Sequence, residues 1–503
     1  MAQEPGRTAA HPSDVVVAPL APRADPALAR RRGRREDVHV PAGVAAGHPA
    51  TAEVGLRVLA AGGSAADAAV AAVLASCVAE SILTGLGGGG FATYFDAASR
   101  TVTALDFFCA VPGLDADRTA GTMTPIEVEF GGVPLAYEIG GASVAVPGVP
   151  AGAAEVHRRW GRLPWRSVVE PAVGLARSGV VLPAAQARTL TSVYQALVPG
   201  DGAGIYSPGG RLLEGGDLLF HPGLDLALAT YADEGADVFY TGWVGAMMVD
   251  QVRDQGGVLG PADLAGYRVR ELPVHRARLG GRSIFGRRDL NATLPTLASL
   301  PDHLGDLPRG ERACVLADAM RGYGRQRLGD TTNVTAVDDD GNACVVTTTL
   351  GLGSGVWLPG LGVHLNSMLG EGELLTTDLV AGGRMGSMMC PLVAVGEEGR
   401  LELAAGSAGA SRIRTALAHT LVSVLLDGSS MRTAIEAPRF HVIDDVVHVE
   451  PGYPCEELDA LAGHGYRVNH WDHVSHYFGG VSGVGLAGSA GDPRRGGVGL
   501  LLR

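Results

Sequence analysis

The chain has 503 residues, 46% of them hydrophobic, and a formal net charge of −13. That length allows a sizeable core and about two to four domains. No basic face stands out, so the acidic balance excludes the electrostatic footprint of a nucleic-acid binder and points to a small-molecule partner.

Residues 1–40 are rich in Ala, Pro and Arg without an apolar period, and they read as a disordered arm. Its basic cluster, Arg30-Arg31-Arg32-Gly33-Arg34-Arg35, follows the short apolar run Val15-Val16-Val17-Ala18-Pro19-Leu20, the reverse of a secretory signal. With no signal peptide or membrane span read, a cytoplasmic location is the expectation. Cys77, Cys109, Cys314, Cys344, Cys390 and Cys455 are scattered without CxxC spacing and read as small buried hydrophobes, not as a disulfide framework.

Ser64-Ala65-Ala66-Asp67 is a cap signal before an alanine-rich run to Val78, which predicts a buried helix. The glycine run Gly85 to Gly90 formally matches GxGxxG. It follows a helix and precedes the strand-like Phe91-Ala92-Thr93-Tyr94-Phe95-Asp96, the opposite order from a dinucleotide site. It reads instead as a place where backbones pass closely. Residues 161–300 read as a helical layer, with helices over 224–234 and 244–255. Further on, strands are predicted over 332–337, 343–349, 356–358, 363–366, 392–395 and 401–405, a helix over 411–426 after a glycine loop at 406–410, and closing strands over 446–450 and 498–502. Sheets covered by helices on both faces account for this mixture.

The chemistry concentrates in Asp330-Thr331-Thr332-Asn333-Val334-Thr335-Ala336-Val337, the turn Asp338-Asp339-Asp340-Gly341-Asn342, and a return strand ending in Thr347-Thr348-Thr349. A threonine hydroxyl attacks poorly until a base takes its proton. If the chain cuts itself between Asp330 and Thr331, the freed α-amino group, with an ordinary pKa of about 7.7–8.0, supplies that base. Alone, the segment reads as an ordinary threonine-rich surface strand. Thr349, closing the hairpin, is placed to orient Thr331. Gly406-Ser407-Ala408-Gly409-Ala410-Ser411, before a helix, can offer backbone N–H groups to an oxyanion, and Ser387 adds a hydroxyl on a loop.

Ordered motifs then tie the chain together: Ala60-Ala61-Gly62-Gly63-Ser64-Ala65-Ala66-Asp67, Gly87-Gly88-Gly89-Gly90-Phe91, Val146-Pro147-Gly148-Val149-Pro150, Asp263-Leu264-Ala265-Gly266-Tyr267, Gly406 to Ile413, and Ala437-Pro438-Arg439-Phe440. With these the chain resembles the gamma-glutamyltransferase family of N-terminal nucleophile hydrolases over most of its length. The resemblance implies an α+β fold, a four-layered αββα sandwich. It also implies self-cleavage into a large segment (41–330) and a small one (331–503) that stay associated as one unit. Carried onto this chain, it makes Thr331 the nucleophile, Thr349 its partner, and Gly409 and Ala410 the oxyanion-hole positions, with alanine where a second glycine is usual. No cofactor is implied.

The departures fall in substrate binding. The family arginine that clamps the glutamyl α-carboxylate corresponds to Phe108 in Asp106-Phe107-Phe108-Cys109-Ala110-Val111-Pro112, and an apolar ring cannot replace a guanidinium. A paired serine becomes Gly386-Ser387, an asparagine becomes Gly351, and a histidine becomes Asn333. The family's amine-holding acid falls in a rewritten segment where Glu371 or Glu373 is the substitute. The expectation is a hydrolase or acyltransferase acting on a substrate other than glutathione. The alternatives are hydrolysis of a carbon-carbon bond beside a ketone, as in relatives from alkylproline pathways, and an uncleaved homologue with a binding role. A metal site at His470, His473 and His476 competes on spacing, but the flanking Tyr466-Arg467-Val468 and Gly479-Gly480 favour strand and loop.

Overall fold

The computed structural model describes residues 39–130, 133–322, 330–375 and 379–503. Residues 1–38, nearly all of the expected arm, lie outside the described residues.

Local chemistry starts the fold where the sequence places it. The Ser64 hydroxyl accepts from the Asp67 N–H at 3.1 Å while the Asp67 carboxylate accepts from the Ser64 N–H at 2.9 Å, a reciprocal cap on the helix Ala65–Ala79. Every residue of this helix is buried, as a run without a polar face requires.

Thirteen strands build the two large sheets: β1 (Gly43–Ala46), β2 (Gly89–Asp96), β3 (Thr101–Phe107), β4 (Arg270–Leu272), β5 (His275–Leu279), β6 (Arg282–Gly286), β7 (Thr332–Val337), β8 (Ala343–Thr349), β9 (Leu392–Val395), β10 (Leu401–Ala408), β11 (Gly480–Gly485), β12 (Gly488–Gly491) and β13 (Val498–Leu501). The first sheet has the order β13-β1-β7-β8-β2-β3-β4 and the second β12-β11-β10-β9-β6-β5. Segments on both sides of Thr331 contribute strands to each sheet. Between the sheets, Ala45, Phe95, Val337 and Val345 meet Phe285, Val393, Val395 and Val484. The helices Pro49–Ala60, Ala65–Ala79 and Trp165–Ser178 share a core with the outer face of the first sheet, and Arg309–Arg321 and Arg412–Leu425 share one with the second. The result is an αββα sandwich.

Several expected elements shift. The glycine segment 406–410 is not all loop: β10 continues through Ala408, because Gly406, Ser407 and Ala408 pair with Ser482, Val481 and Gly480. The turn shrinks to Gly409-Ala410-Ser411. Residues 161–300 are helical only in part, since β4, β5 and β6 lie at their end; β5 and β6 form a hairpin through Gly280 (φ 54°) and Gly281 (φ 79°). The predicted strands 356–358 and 363–366 reduce to a small pair, Trp357–Leu358 with Val363–His364. Residues 446–450 join a separate three-stranded sheet instead of closing a large one. Among the described residues no helix is long and apolar enough to cross a membrane.

The glycine run does bring backbones together. A Cβ on Gly88 would strike the Thr349 carbonyl and one on Gly90 the Thr347 carbonyl, so β2 lies against β8 only because these positions carry no side chain.

Candidate active site

Strand alternation sorts the threonines. Val334 and Ala336 of β7 join the helix-side core, and Thr332, on the same face, donates to the Glu80 carboxylate. Asn333 and Thr335 point into the space between the sheets, where both donate to the Ser482 carbonyl, at 3.2 and 2.9 Å. Thr331, one residue before β7, is buried at the end of this inter-sheet layer.

The register Thr332 opposite Thr348 brings Asp330 and Thr331 beside Thr349. The Thr349 hydroxyl donates to the Asp330 carbonyl at 2.5 Å and accepts from the Gly351 N–H at 2.9 Å. The Asp330 carboxylate accepts from the Thr331 N–H at 2.9 Å and pairs with Arg495. Arg495 is held in turn: its guanidinium donates to the His476 carbonyl at 3.3 Å. The neighbouring Arg494 is locked by Glu450 at 2.5 Å and Asp492 at 3.1 Å, while Asp492 also accepts from Arg439 at 2.7 Å. A buried ionic cluster thus fixes the segment that carries Arg495.

A small cavity opens on this junction. Asp330, Thr331, Thr349, Phe108, Ser387, Glu371 and Ala410 all line it, so seven of the expected site residues converge there. In the continuous chain it has room for about one water, some 20 Å³. Ala410 has φ 48° and Gly409 φ 111°, and the Ala410 carbonyl accepts from the Asn291 side chain at 2.8 Å. Holding alanine in the left-handed region costs about 1–2 kcal/mol, so the turn is imposed by its surroundings. Gly409 sits one residue back from the cavity wall.

Phe108 is fully buried and stacks on Phe91 (centroids 5.4 Å apart), and the Arg287 guanidinium lies over the Phe91 ring at 3.7 Å. Arg287 donates to the Ser387 and Met389 carbonyls at 3.3 and 2.7 Å. Behind the same wall, Arg384 pairs with Asp106 at 3.2 Å and donates to the Phe108 carbonyl at 2.7 Å.

Glu371 is buried and accepts from the Tyr137 hydroxyl at 3.5 Å; that hydroxyl also lies 3.0 Å from the Ser367 hydroxyl. Tyr137 fills the space beside Gly351, where an added Cβ would lie 2.6 Å from its oxygen. The Glu373 side chain lies outside the described residues. Asn333 is not brought to the cavity. Its amide accepts from Thr347 at 2.7 Å, and it lines a separate void with Glu80, Thr332 and Arg495.

Sequence reasoning missed Glu80, Tyr137 and Arg495. Glu80 had a signal: a carboxylate directly after a helix that is apolar from Ala68 to Ala79 except for Ser76. It accepts from Thr51 at 2.8 Å as well as from Thr332, and burial pushes its carboxyl up to about 7 against those two hydrogen bonds.

The three histidines share no helix face. His470 ends the strand Arg467–His470, His473 pairs with Asp472, and His476 is buried in a 3-10 turn, where desolvation pulls its imidazole down to about 4. Among the described residues no group of three or more His, Cys, Asp or Glu is arranged to hold a metal ion.

The family model described as gamma-glutamyltranspeptidase matches residues 51–291 and 311–501. The chain is similar to the Acylase ACY 1 proenzyme of Pseudomonas sp. (strain SE83), 28% identical across 84% of this chain and 87% of that one. It is also similar to Glutathione hydrolase proenzyme 1 of Schizosaccharomyces pombe, 27% identical across 83% and 77%. The crystal structure of cephalosporin acylase from Bacillus halodurans superposes with a TM-score of 0.75, covering 95% of this chain and 99% of that one at 21% identity, a likeness of fold. The chain therefore belongs to the gamma-glutamyltranspeptidase family, as a divergent member of the N-terminal nucleophile hydrolases, and is a hydrolase or acyltransferase of that class.

Proposed function

We propose that the chain is a proenzyme that cuts itself between Asp330 and Thr331, and that the freed Thr331 then forms a covalent acyl-enzyme with a substrate other than glutathione. The contact that carries this reading is the Thr349 hydroxyl on the Asp330 carbonyl. A donor aimed at that oxygen draws electron density from the bond to be broken and stabilises the charge that develops when Thr331 attacks. Arg495, paired with the neighbouring carboxylate, holds the same residue still.

Cleavage gives Thr331 an α-amino group as its own base. Asp330, itself part of the cavity wall, becomes a free C-terminus, and its departure from the wall would make room for substrate. Phe108 supports a substrate other than glutathione, because no guanidinium stands at the position that would clamp a glutamyl carboxylate. The test is to incubate processed protein with glutathione and with unrelated amides and to weigh the small fragment. An acyl adduct on Thr331 from an amide, and none from glutathione, is expected; efficient γ-glutamyl transfer from glutathione would overturn the substrate reading.

A further inference from the structure

Resting on the acyl-enzyme reading, we infer that Arg495 selects the acyl group, and that the group it selects ends in a carboxylate at the third carbon beyond the carbonyl, as a succinyl or N-acylated α-aspartyl group does. Self-cleavage is itself the first acyl transfer at this site. The Thr331 Oγ bonds to the Asp330 carbonyl carbon, the C–N bond breaks, and the hydroxyl proton goes to the Thr331 nitrogen, leaving the Asp330 acyl group as an ester on Oγ. Water then splits that ester into the Asp330 acid and the Thr331 hydroxyl. An acyl-enzyme made from an outside amide has its ester at the same oxygen, with the amide's C–N bond broken and the proton passed through the α-amino group to the departing amine. The contacts of the Asp330 side chain therefore mark where a substituent of that length falls.

That side chain ends at a cation. Its carboxylate pairs with the Arg495 guanidinium and accepts from the Thr331 N–H at 2.9 Å, on the nitrogen that becomes the α-amino group. Arg495 is buried, and its guanidinium donates to the His476 carbonyl at 3.3 Å. Two glycines leave it room. A Cβ on Gly480 would strike its side chain, and one on Gly409, at the oxyanion turn, would lie 3.3 Å from its Nη2.

In the continuous chain Asp330 lines the cavity, whereas Arg495 lines the separate void with Glu80 and Asp492. Departure of Asp330 opens the place of its carboxylate, between Thr331 and Arg495. The two acids of the void have partners of their own: Asp492 is held by Arg439 and Arg494, and Glu80 accepts from Thr51 and Thr332. A buried guanidinium stripped of its carboxylate is costly, and a substrate carboxylate of the same reach restores the pair. An uncharged acyl group of equal length does not.

The test uses the processed full-length protein and five 4-nitroanilides: butanoyl, succinyl, glutaryl, N-acetyl-α-aspartyl and N-acetyl-α-asparaginyl. In kcat/KM, succinyl is expected to exceed butanoyl, and aspartyl to exceed asparaginyl, by about tenfold or more. Glutaryl, with one methylene too many, is expected to fall between succinyl and butanoyl. Arg495→Met is expected to bring both ratios to about one, whereas a purely structural loss slows all five substrates alike and leaves the ratios standing. Where that variant does not self-cleave, Arg495→Lys keeps the charge without the planar fork and is expected to lower both ratios. Wild-type ratios near one, or ratios unmoved in the processed variant, would overturn the inference, while an acyl adduct on Thr331 leaves the acyl-enzyme reading intact. Absence of any adduct on Thr331 with all five would overturn both.

Discussion

The Thr349 hydroxyl donates to the Asp330 carbonyl at 2.5 Å, nineteen residues away in sequence and directly across the hairpin. If this donor polarises the bond that breaks, removing it while keeping the shape slows cleavage without unfolding the protein. Thr349→Val is expected to slow self-cleavage by about 100-fold or more, the usual effect of losing one oxyanion donor. A time course on denaturing gels checks this, with Thr331→Ala as the variant that does not cleave at all.

Arg495 and Asp330 are both buried, so truncating one strands the other. Arg495→Met, measured in a Thr331→Ala background, is expected to cost about 3–5 kcal/mol by chemical denaturation. Adding Asp330→Asn should recover part of that loss, because the stranded charge is then gone. Equal losses in the single and double variants would show that the pair is not coupled.

Glu80 gives stability a pH dependence of definite sign. Burial raises its carboxyl from the usual carboxylate value to about 7 in the folded protein. Its contribution is therefore fully present below about pH 4.5 and is lost as pH rises through 7. The shift corresponds to on the order of 3 kcal/mol. Glu80→Gln is expected to flatten this part of the profile and to be relatively more stable than wild type at pH 8 than at pH 5. Parallel profiles for the two proteins would contradict the assignment.

Ala410 pays for its left-handed backbone. Ala410→Gly removes the Cβ at φ 48° and is expected to stabilise the Thr331→Ala protein by about 0.5–1 kcal/mol, after the extra freedom glycine gains in the unfolded chain. Thermal melts read this directly, and a lower melting temperature would mean that the methyl group contributes packing that outweighs the strain.

The parts of this site that were legible in the sequence are those carried by local pattern. The β7 and β8 hairpin follows from alternation and the Asp-Gly turn signal, and the Ser64 cap from its own residues. Asn333 is a candidate only because it stands where the family has a histidine, and the structure turns it away from the cavity: the second sheet holds its amide at the Ser482 carbonyl. Arg495 and Tyr137 were invisible for another reason. Each reaches the junction from a distant segment, one fixed by the Glu450, Asp492 and Arg439 cluster and the other by the room Gly351 leaves. The β5 and β6 hairpin was hidden by its arginines, although Gly280-Gly281 between alternating runs marks the turn.

The most direct measurement is the N-terminal sequence of the purified protein's fragments, taken beside the intact mass of a Thr331→Ala variant. Two fragments are expected, the smaller beginning Thr331-Thr332-Asn333, and a single unbroken chain for the variant. An active wild-type protein that remains one full-length chain, or a variant cut at the same bond, would contradict it.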